Sequence, residues 1–359
     1  MNILYLINYA GSGGTEKYVY NLIEAFNGKV ANCHFAYNIE GRLSGQLSQM
    51  GIPSFKVEMR HPFDLKAAKT IAKYCKDNSI DVIHTHYSRE NAIAVMAKKY
   101  CPGLRVVNTY HIIAETGFLK RMLNLNAVKK THKIIAVCDT AAEFLIKNGY
   151  KKDKIEVIYN GIKPHERVAY KGDLRKELGI DDDAFVMTTL TRYHPLKGVD
   201  YLIKSVSELK KITDRKFVLL IVGDGELKEE STALISEYNL GDCVKQLGFR
   251  SDTSDILKIS DLYINSSVTE ALSFAILEAM DSALPVIATR VGGNVDILSP
   301  ENDCGILVEY GDTLQMAKAM DTMINDNVLR QKYAINALKA VDTVFNLDEL
   351  LKKTFETYK

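Results

Sequence analysis

Short apolar runs alternate with helical periods almost throughout this chain, and the alternation occurs twice. Ile3 to Asn8, Cys33 to Tyr37, Val82 to His86, Val106 to Tyr110, Lys133 to Cys138 and Glu156 to Tyr159 read as buried strands. Helical periods lie between most of them, as in Leu65 to Lys76 and Asn91 to Tyr100. The pattern restarts after Asn160-Gly161-Ile162-Lys163-Pro164 and a charged stretch ending near Asp183. Phe185 to Thr191, Phe217 to Val222, Val244 to Phe249, Leu262 to Asn265, Val286 to Thr289 and Gly305 to Val308 form the second series. Strand–helix–strand repeats of this spacing predict an α/β fold of doubly wound parallel sheets, and each series has the size of one Rossmann-like domain. At 359 residues the chain is long for one core, so two domains are expected. The tail, Asn346 to Lys359, is an amphipathic helix without a sheet of its own and is expected to pack on the first domain. The division is therefore 1–163 plus 343–359, and 164–342.

Composition excludes several classes. With 47% hydrophobic residues, 25% charged residues and only 7 prolines, the chain is globular. No apolar run approaches the roughly 18 residues of a membrane span. The opening MNILYLINYAG lacks a basic flank and a cleavage site, and reads as a first buried strand instead of a signal peptide. The cysteines (Cys33, Cys75, Cys101, Cys138, Cys243, Cys304) are scattered, with no C-x-x-C pair. That spacing points to a reducing cytoplasm and buried thiols, without a zinc site. The net charge of +1 hides an asymmetry. Through Lys163 there are 23 Lys+Arg against 13 Asp+Glu, and in the remainder 23 against 32, so the halves should meet different partners. Gly117 to Lys133, GFLKRMLNLNAVKKTHK, reads either as a core-facing helix with a basic outer side or as one lying on an anionic membrane surface. A peripheral position at the inner face of a membrane is thus a second expectation beside a cytoplasmic one; nucleic acid is not an expected partner.

The segment Ser266 to Met280, SSVTEALSFAILEAM, carries most of the chemistry. Strand-like Leu262 to Asn265 precedes it, and an apolar helical run follows a short turn. Strand, turn and helix start form the geometry in which parallel sheets hold phosphates, because backbone N–H groups point outward there. Glu270 and Glu278 flank that anion site, as a ligand with hydroxyls on both sides of a phosphate would require. Were the stretch all helix, their Cα atoms would lie roughly 12 Å apart. Paired glycosidase carboxylates sit at about 5–5.5 or 6.5–9.5 Å, so two recognition points are expected here instead of an acid/base couple.

Other strand ends add candidates. Ala10-Gly11-Ser12-Gly13-Gly14-Thr15-Glu16 opens a helix but has Glu16 where the dinucleotide fingerprint needs its third glycine, which disfavours a nicotinamide enzyme. Arg192 and Lys197 flank a proline-stiffened turn ahead of a helix from Val199, and two cations there suit a diphosphate. Gly223-Asp224-Gly225-Glu226 is another strand-end turn, and Phe249-Arg250 could hold a nucleobase by stacking and backbone contacts. His84, His86 and His111 end adjacent strands, where the ligand crevice of a doubly wound sheet lies. Asp181-Asp182-Asp183 reads as a solvated turn, and no other cluster has metal-ligand spacing.

Taken in order, these residues resemble glycosyltransferase family 4, retaining enzymes of the GT-B fold with two facing Rossmann-like domains. The resemblance covers essentially the whole chain. It rests on Gly13-Gly14-Thr15-Glu16, Asn160-Gly161-Ile162, Arg192 with Lys197, Gly223-Asp224-Gly225, Glu270 with Glu278-Ala279-Met280, and Pro285-Val286-Ile287-Ala288-Thr289. It implies that Arg192 and Lys197 bind a donor diphosphate, with Gly13 and Gly14 approaching it from the first domain. Amides at Ser273, Phe274 and Ala275 would hold the distal phosphate, Glu270 the transferred sugar and Glu278 the ribose. Gly223 and Arg250 would complete the donor site. His111 would orient the sugar, and Glu16, His86 and Tyr110 would stand on the acceptor side. The implied donor is a nucleoside-diphosphate sugar, UDP-linked. The implied acceptor is a glycan or lipid-linked glycan of surface-polysaccharide synthesis, with no metal and no other cofactor. One departure stands out: Ala271-Leu272-Ser273 replaces the usual Gly-rich turn.

Overall fold

The computed structural model describes residues 1–111, 113, 117–164 and 172–359. Two compact units emerge: Met1–Asn160 with Asp348–Lys359, and Gly161–Leu347. The exchange points lie at 160/161 and 347/348, not at 163/164 and 342/343, because Ile162 bridges Asn346 and so draws both passages of the chain into the second unit. A Cβ on Gly161 would lie 2.4 Å from the Asn346 carbonyl oxygen, so these passages touch backbone to backbone.

The first unit holds a seven-stranded sheet of β1 (Asn2–Tyr9), β2 (Asn32–Ile39), β3 (Ser54–Lys56), β4 (Val82–Thr85), β5 (Arg105–Tyr110), β6 (Lys133–Ala136) and β7 (Ile155–Val157). Its order is β3-β2-β1-β4-β5-β6-β7, and the described pairings are parallel. Edge strand β3 is an addition to the expected set: its three residues, Ser-Phe-Lys, carry no apolar run to read. The second unit holds β8 (Phe185–Leu190), β9 (Phe217–Val222), β10 (Val244–Gly248), β11 (Leu262–Asn265), β12 (Val286–Thr289) and β13 (Gly305–Val308), in the order β10-β9-β8-β11-β12-β13. These strands read as unbroken apolar runs because helices cover both faces of a parallel sheet. Ile3 to Ile7 of β1 and Leu219 to Ile221 of β9 are fully buried accordingly.

The order of strands reverses direction between β1 and β4 in one sheet and between β8 and β11 in the other. Ligands of open parallel sheets sit outside the strand C-termini at such a point. The helix Gly14–Phe26 buries Tyr18, Val19, Leu22, Ile23 and Phe26, and so fixes the glycine turn at the end of β1. The C-terminal helix Leu347–Glu356 belongs with the first unit from Asp348 onward. There Phe355 meets Phe26 edge-on at 5.4 Å, and Tyr358 is completely buried.

Within Gly117 to Lys133 the helix spans Phe118–Val128; the side chains of Phe118, Leu119, Lys120 and Leu123 lie outside the described residues. Among the described residues no helix is long and apolar enough to cross a membrane. Lys216 pairs with Asp181 and Asp183 at 3.1 and 3.4 Å, so the acidic run is an ion-paired turn.

Candidate active site

In the second unit the candidates gather at the β8/β11 reversal. The turn after β8 carries exposed Arg192, then a single 3₁₀ turn, Pro195–Lys197, capped by the His194 ring accepting from the Leu196 amide at 3.2 Å. Gly198 follows in the left-handed region (φ 59°), and a Cβ there would stand 2.2 Å from the Ser266 carbonyl oxygen. Only glycine lets the two loops touch so closely. The contact is reinforced by the Ser266 hydroxyl donating to the Lys197 carbonyl at 2.9 Å and the Val268 amide donating to the Leu196 carbonyl at 2.9 Å.

This docking delivers the Lys197 ammonium to the Glu270 carboxylate. The Ser267 hydroxyl donates to the same Glu270 oxygen at 2.9 Å. Ser267 is itself held, its carbonyl by Thr289 Oγ1 at 2.6 Å and its amide by Asn265 Oδ1 at 3.3 Å. The Glu270 side chain is 12% exposed and that of Lys197 32%, so the pair is sheltered yet reachable.

The helix after this loop is Phe274–Asp281, with Ser273 Oγ accepting from the Ile276 amide at 3.4 Å. Serine thus caps the helix where the usual glycine turn is absent. Ala271, Leu272 and Ser273 are buried, so the substituted turn packs inward. Glu278 lies on this helix, half-buried. Burial pushes the Tyr263 phenol up, and the charges of Glu278 and Glu270 add to that, so both carboxylates lie within electrostatic reach of this β11 side chain.

Gly223 (φ 137°) lies under the β8 turn, where a Cβ would stand 1.8 Å from the Thr191 carbonyl oxygen. The next helix begins at Lys228, later than the glycine turn implied, because Tyr193 ties the turn down: its amide donates to the Asp224 carbonyl at 3.1 Å. Arg250 forms a two-point pair with Asp252 at 2.8 and 2.5 Å. That commits its guanidinium, while the neighbouring Phe249 ring is 68% exposed and available for stacking.

In the first unit, Gly13 is the N-cap of the helix that Gly14 opens after β1, and Glu16 lies in the helix's first turn. His84 and His86 share one face at the end of β4, and β5 brings Thr109 and His111 beside them. His86 Nδ1 lies 3.1 Å from His111 Nε2, and the Tyr18 ring meets both edge-on. His84 bonds Tyr358 Oη at 2.6 Å and Thr109 Oγ1 at 2.7 Å. His86 is 1% exposed, whereas His111 is partly exposed. Burial lowers all three imidazoles, His84 and His111 to about 3, so the cluster is neutral at pH 7. Tyr110 joins Phe144 and Tyr150 in an aromatic group at 6.4 and 6.3 Å.

Three partners were not read from the sequence: Tyr18, Thr109 and Tyr358. The two-residue period of β4 and β5 does place Thr109 with His111, but Tyr358 is over 200 residues away in sequence and carries no local signal. Glu90 was missed as well; it is fully buried, neither carboxylate oxygen has a partner among the described residues, and burial raises it to about 7. Among the described residues no group of three His, Cys, Asp or Glu side chains could hold a metal.

Two family models match the chain: "Glycosyltransferase Family 4" over residues 12–166 and "Glycosyl transferases group 1" over 171–340. The UDP-Gal:alpha-D-GlcNAc-diphosphoundecaprenol alpha-1,3-galactosyltransferase of Escherichia coli is 31% identical over 308 residues, 79% of each chain. The chain belongs to glycosyltransferase family 4. A second member of wider coverage, the N-acetyl-alpha-D-glucosaminyl L-malate synthase of Bacillus anthracis, is 25% identical over 86% of this chain and 82% of that one. Anabaena Alr3699/HepE, solved in complex with UDP, superposes with a TM-score of 0.89 at 22% identity, covering 99% of each chain. The fold of this family 4 member is therefore GT-B, and the protein is a glycosyltransferase.

Proposed function

We propose that this glycosyltransferase is a retaining enzyme that takes a sugar from a UDP-sugar and places it on a hydroxyl of a lipid-linked glycan during surface-polysaccharide synthesis. The observation that carries this reading is the Lys197–Glu270 pair, fixed at the β8/β11 reversal beside the start of the helix Phe274–Asp281. Arg192 and Lys197 neutralise the diphosphate as it departs. Amides of the first turn, at Ser273, Phe274 and Ala275, receive its distal phosphate. Glu270 accepts hydroxyls of the transferred sugar, Glu278 those of the ribose, and Phe249 stacks on the base. In the reaction the bond from the anomeric carbon to the phosphate oxygen breaks. The acceptor oxygen bonds to the same face, and its proton passes to the departing phosphate. No metal is needed for this, because the two cations supply the charge.

The acceptor side falls to the basic first unit. Lys98, Lys99, Lys129, Lys130, His132 and Lys154 line a pocket of about 550 Å³ where β6 and β7 begin, at the opposite end of the strands from Gly13 and His111. Anionic lipid headgroups at this pocket would hold the protein against the cytoplasmic face of a membrane. The Escherichia coli relative, named for a diphosphoundecaprenol-linked acceptor, supports a lipid-linked substrate. The Bacillus anthracis relative, named for L-malate, supports a second reading with a small soluble acceptor.

A thermal-shift panel of nucleoside diphosphates tests the donor assignment: UDP should raise the midpoint above GDP and ADP, and no response to any of them rejects it. The anomeric configuration of the product, read by NMR, decides retention. Sedimentation with anionic vesicles at low and high salt separates the two acceptor readings.

A further inference from the structure

His86 and His111 of the first unit form a pair in which only one assignment of ring protons leaves no buried His86 donor stranded. His86 Nδ1 and His111 Nε2 lie 3.1 Å apart. A bond between two neutral imidazoles needs an N–H on one nitrogen and a lone pair on the other. His86 Nε2, at the far side of its ring, is buried and has no partner among the described residues. Placed on Nε2, the His86 proton would be an orphan donor in the core. Buried N–H groups without partners are rarer than under-satisfied acceptors. The proton therefore belongs on Nδ1 of His86, which donates to Nε2 of His111.

We propose that His86 holds His111 in the tautomer protonated on Nδ1, so that His111 serves as a neutral hydrogen-bond donor to an oxygen of the substrate. This rests on the proposed placement of His111 at the sugar. His86 is then a positioning residue and not an acceptor contact. Its ring packs against that of His84 in a tilted arrangement, 4.5 Å between ring centres. His84 in turn is pinned by Thr109 on β5 and Tyr358 of the C-terminal segment. His111 is the accessible member of the set, while His84 and His86 are 0% and 1% exposed. The ionisable groups set against the three rings are the phenols of Tyr5, Tyr18 and Tyr358, all raised by burial and uncharged. A neutral donor suits a sugar hydroxyl or a phosphate oxygen, and it cannot act as a nucleophile through the nitrogen that carries its proton.

Long-range proton–nitrogen correlation of the full chain, labelled with ¹⁵N-histidine and assigned for His111 by comparison with His111→Gln, tests this directly. Wild type should show pyrrole-type Nδ1 and pyridine-type Nε2 at His111 between pH 6 and 8. In His86→Leu that pattern should give way to a mixture of tautomers, with kcat reduced about tenfold at unchanged donor KM, the size of one lost hydrogen bond. His86→Gln, whose amide keeps a donor, should restore both readouts. A proton on Nε2 of His111 in wild type, or an unchanged tautomer in His86→Leu, overturns the proposal. If the tautomers behave as stated but His111→Leu, which has no donor, transfers sugar normally, the substrate-donor role falls while the UDP-sugar reading stands on its own nucleotide panel.

Discussion

Lys197 and Glu270 form an ion pair that joins the loop after β8 to the loop after β11, and Ser267 holds the same carboxylate oxygen. Each side chain therefore sets the other's position before any donor arrives. Lys197→Ala should lower kcat/KM by about 10²–10³, the usual cost of removing one preorganised group that meets developing charge. Because the two residues share one interaction, Lys197→Ala with Glu270→Ala should cost clearly less than the sum of the single changes. Initial rates for the four proteins measure this; strict additivity would mean that the pair is a resting-state contact only.

The close approach behind that pair gives a stability prediction. Gly198→Ala adds a Cβ at a left-handed position, 2.2 Å from the Ser266 carbonyl oxygen. Strain of this kind is of the order of 1–3 kcal/mol. Urea unfolding should show that loss, and donor KM should rise as the loops part.

Acid should weaken the first unit. His84 and His111 titrate near 3 when folded, against an ordinary value of about 6.5 in the unfolded chain. Below about 6.5 the unfolded state binds protons that the folded state refuses, so stability falls as the pH drops from there toward 3. Each histidine contributes a slope of roughly 1.4 kcal/mol per pH unit within that window. Unfolding midpoints at pH 7 and pH 5 check this.

Glu90 acts in the opposite sense. Its folded value of about 7 exceeds the ordinary 4.5, so its contribution is present below 4.5 and lost as the pH rises through 7. Glu90→Gln should therefore stabilise the protein relative to wild type more at pH 8 than at pH 5. Equal differences at the two values would show that the carboxyl titrates normally.

Tyr358→Phe removes the hydroxyl that bonds His84 at 2.6 Å. The stranded His84 nitrogen should cost about 1–3 kcal/mol. A thermal scan and limited proteolysis of the C-terminal helix read the loss.

Much of the fold was legible because parallel strands covered on both faces must be apolar throughout. Phe217 to Val222 and Leu262 to Asn265 coincide with β9 and β11 for that reason. Ser54–Lys56 escaped notice, since an edge strand of three residues needs no apolar run. The candidates at strand ends were legible too, because a turn between strand and helix carries its own glycines and cations. What joins them was not. Ser266 meeting Gly198, and Lys197 meeting Glu270, depend on which strands are neighbours, and sequence order places β8 and β11 far apart. The bond between His86 and His111 likewise depends on the pairing of β4 with β5, which neither strand end reveals alone.

In the proposed function Glu270 grips the transferred sugar while Arg192 and Lys197 hold the diphosphate. The most direct measurement is Glu270→Ala assayed two ways, by UDP-induced thermal shift and by sugar transfer. The variant should be a folded protein that still responds to UDP but has lost transfer by at least about 10², the usual scale for such a group. Near-normal turnover in that variant would contradict that role of Glu270.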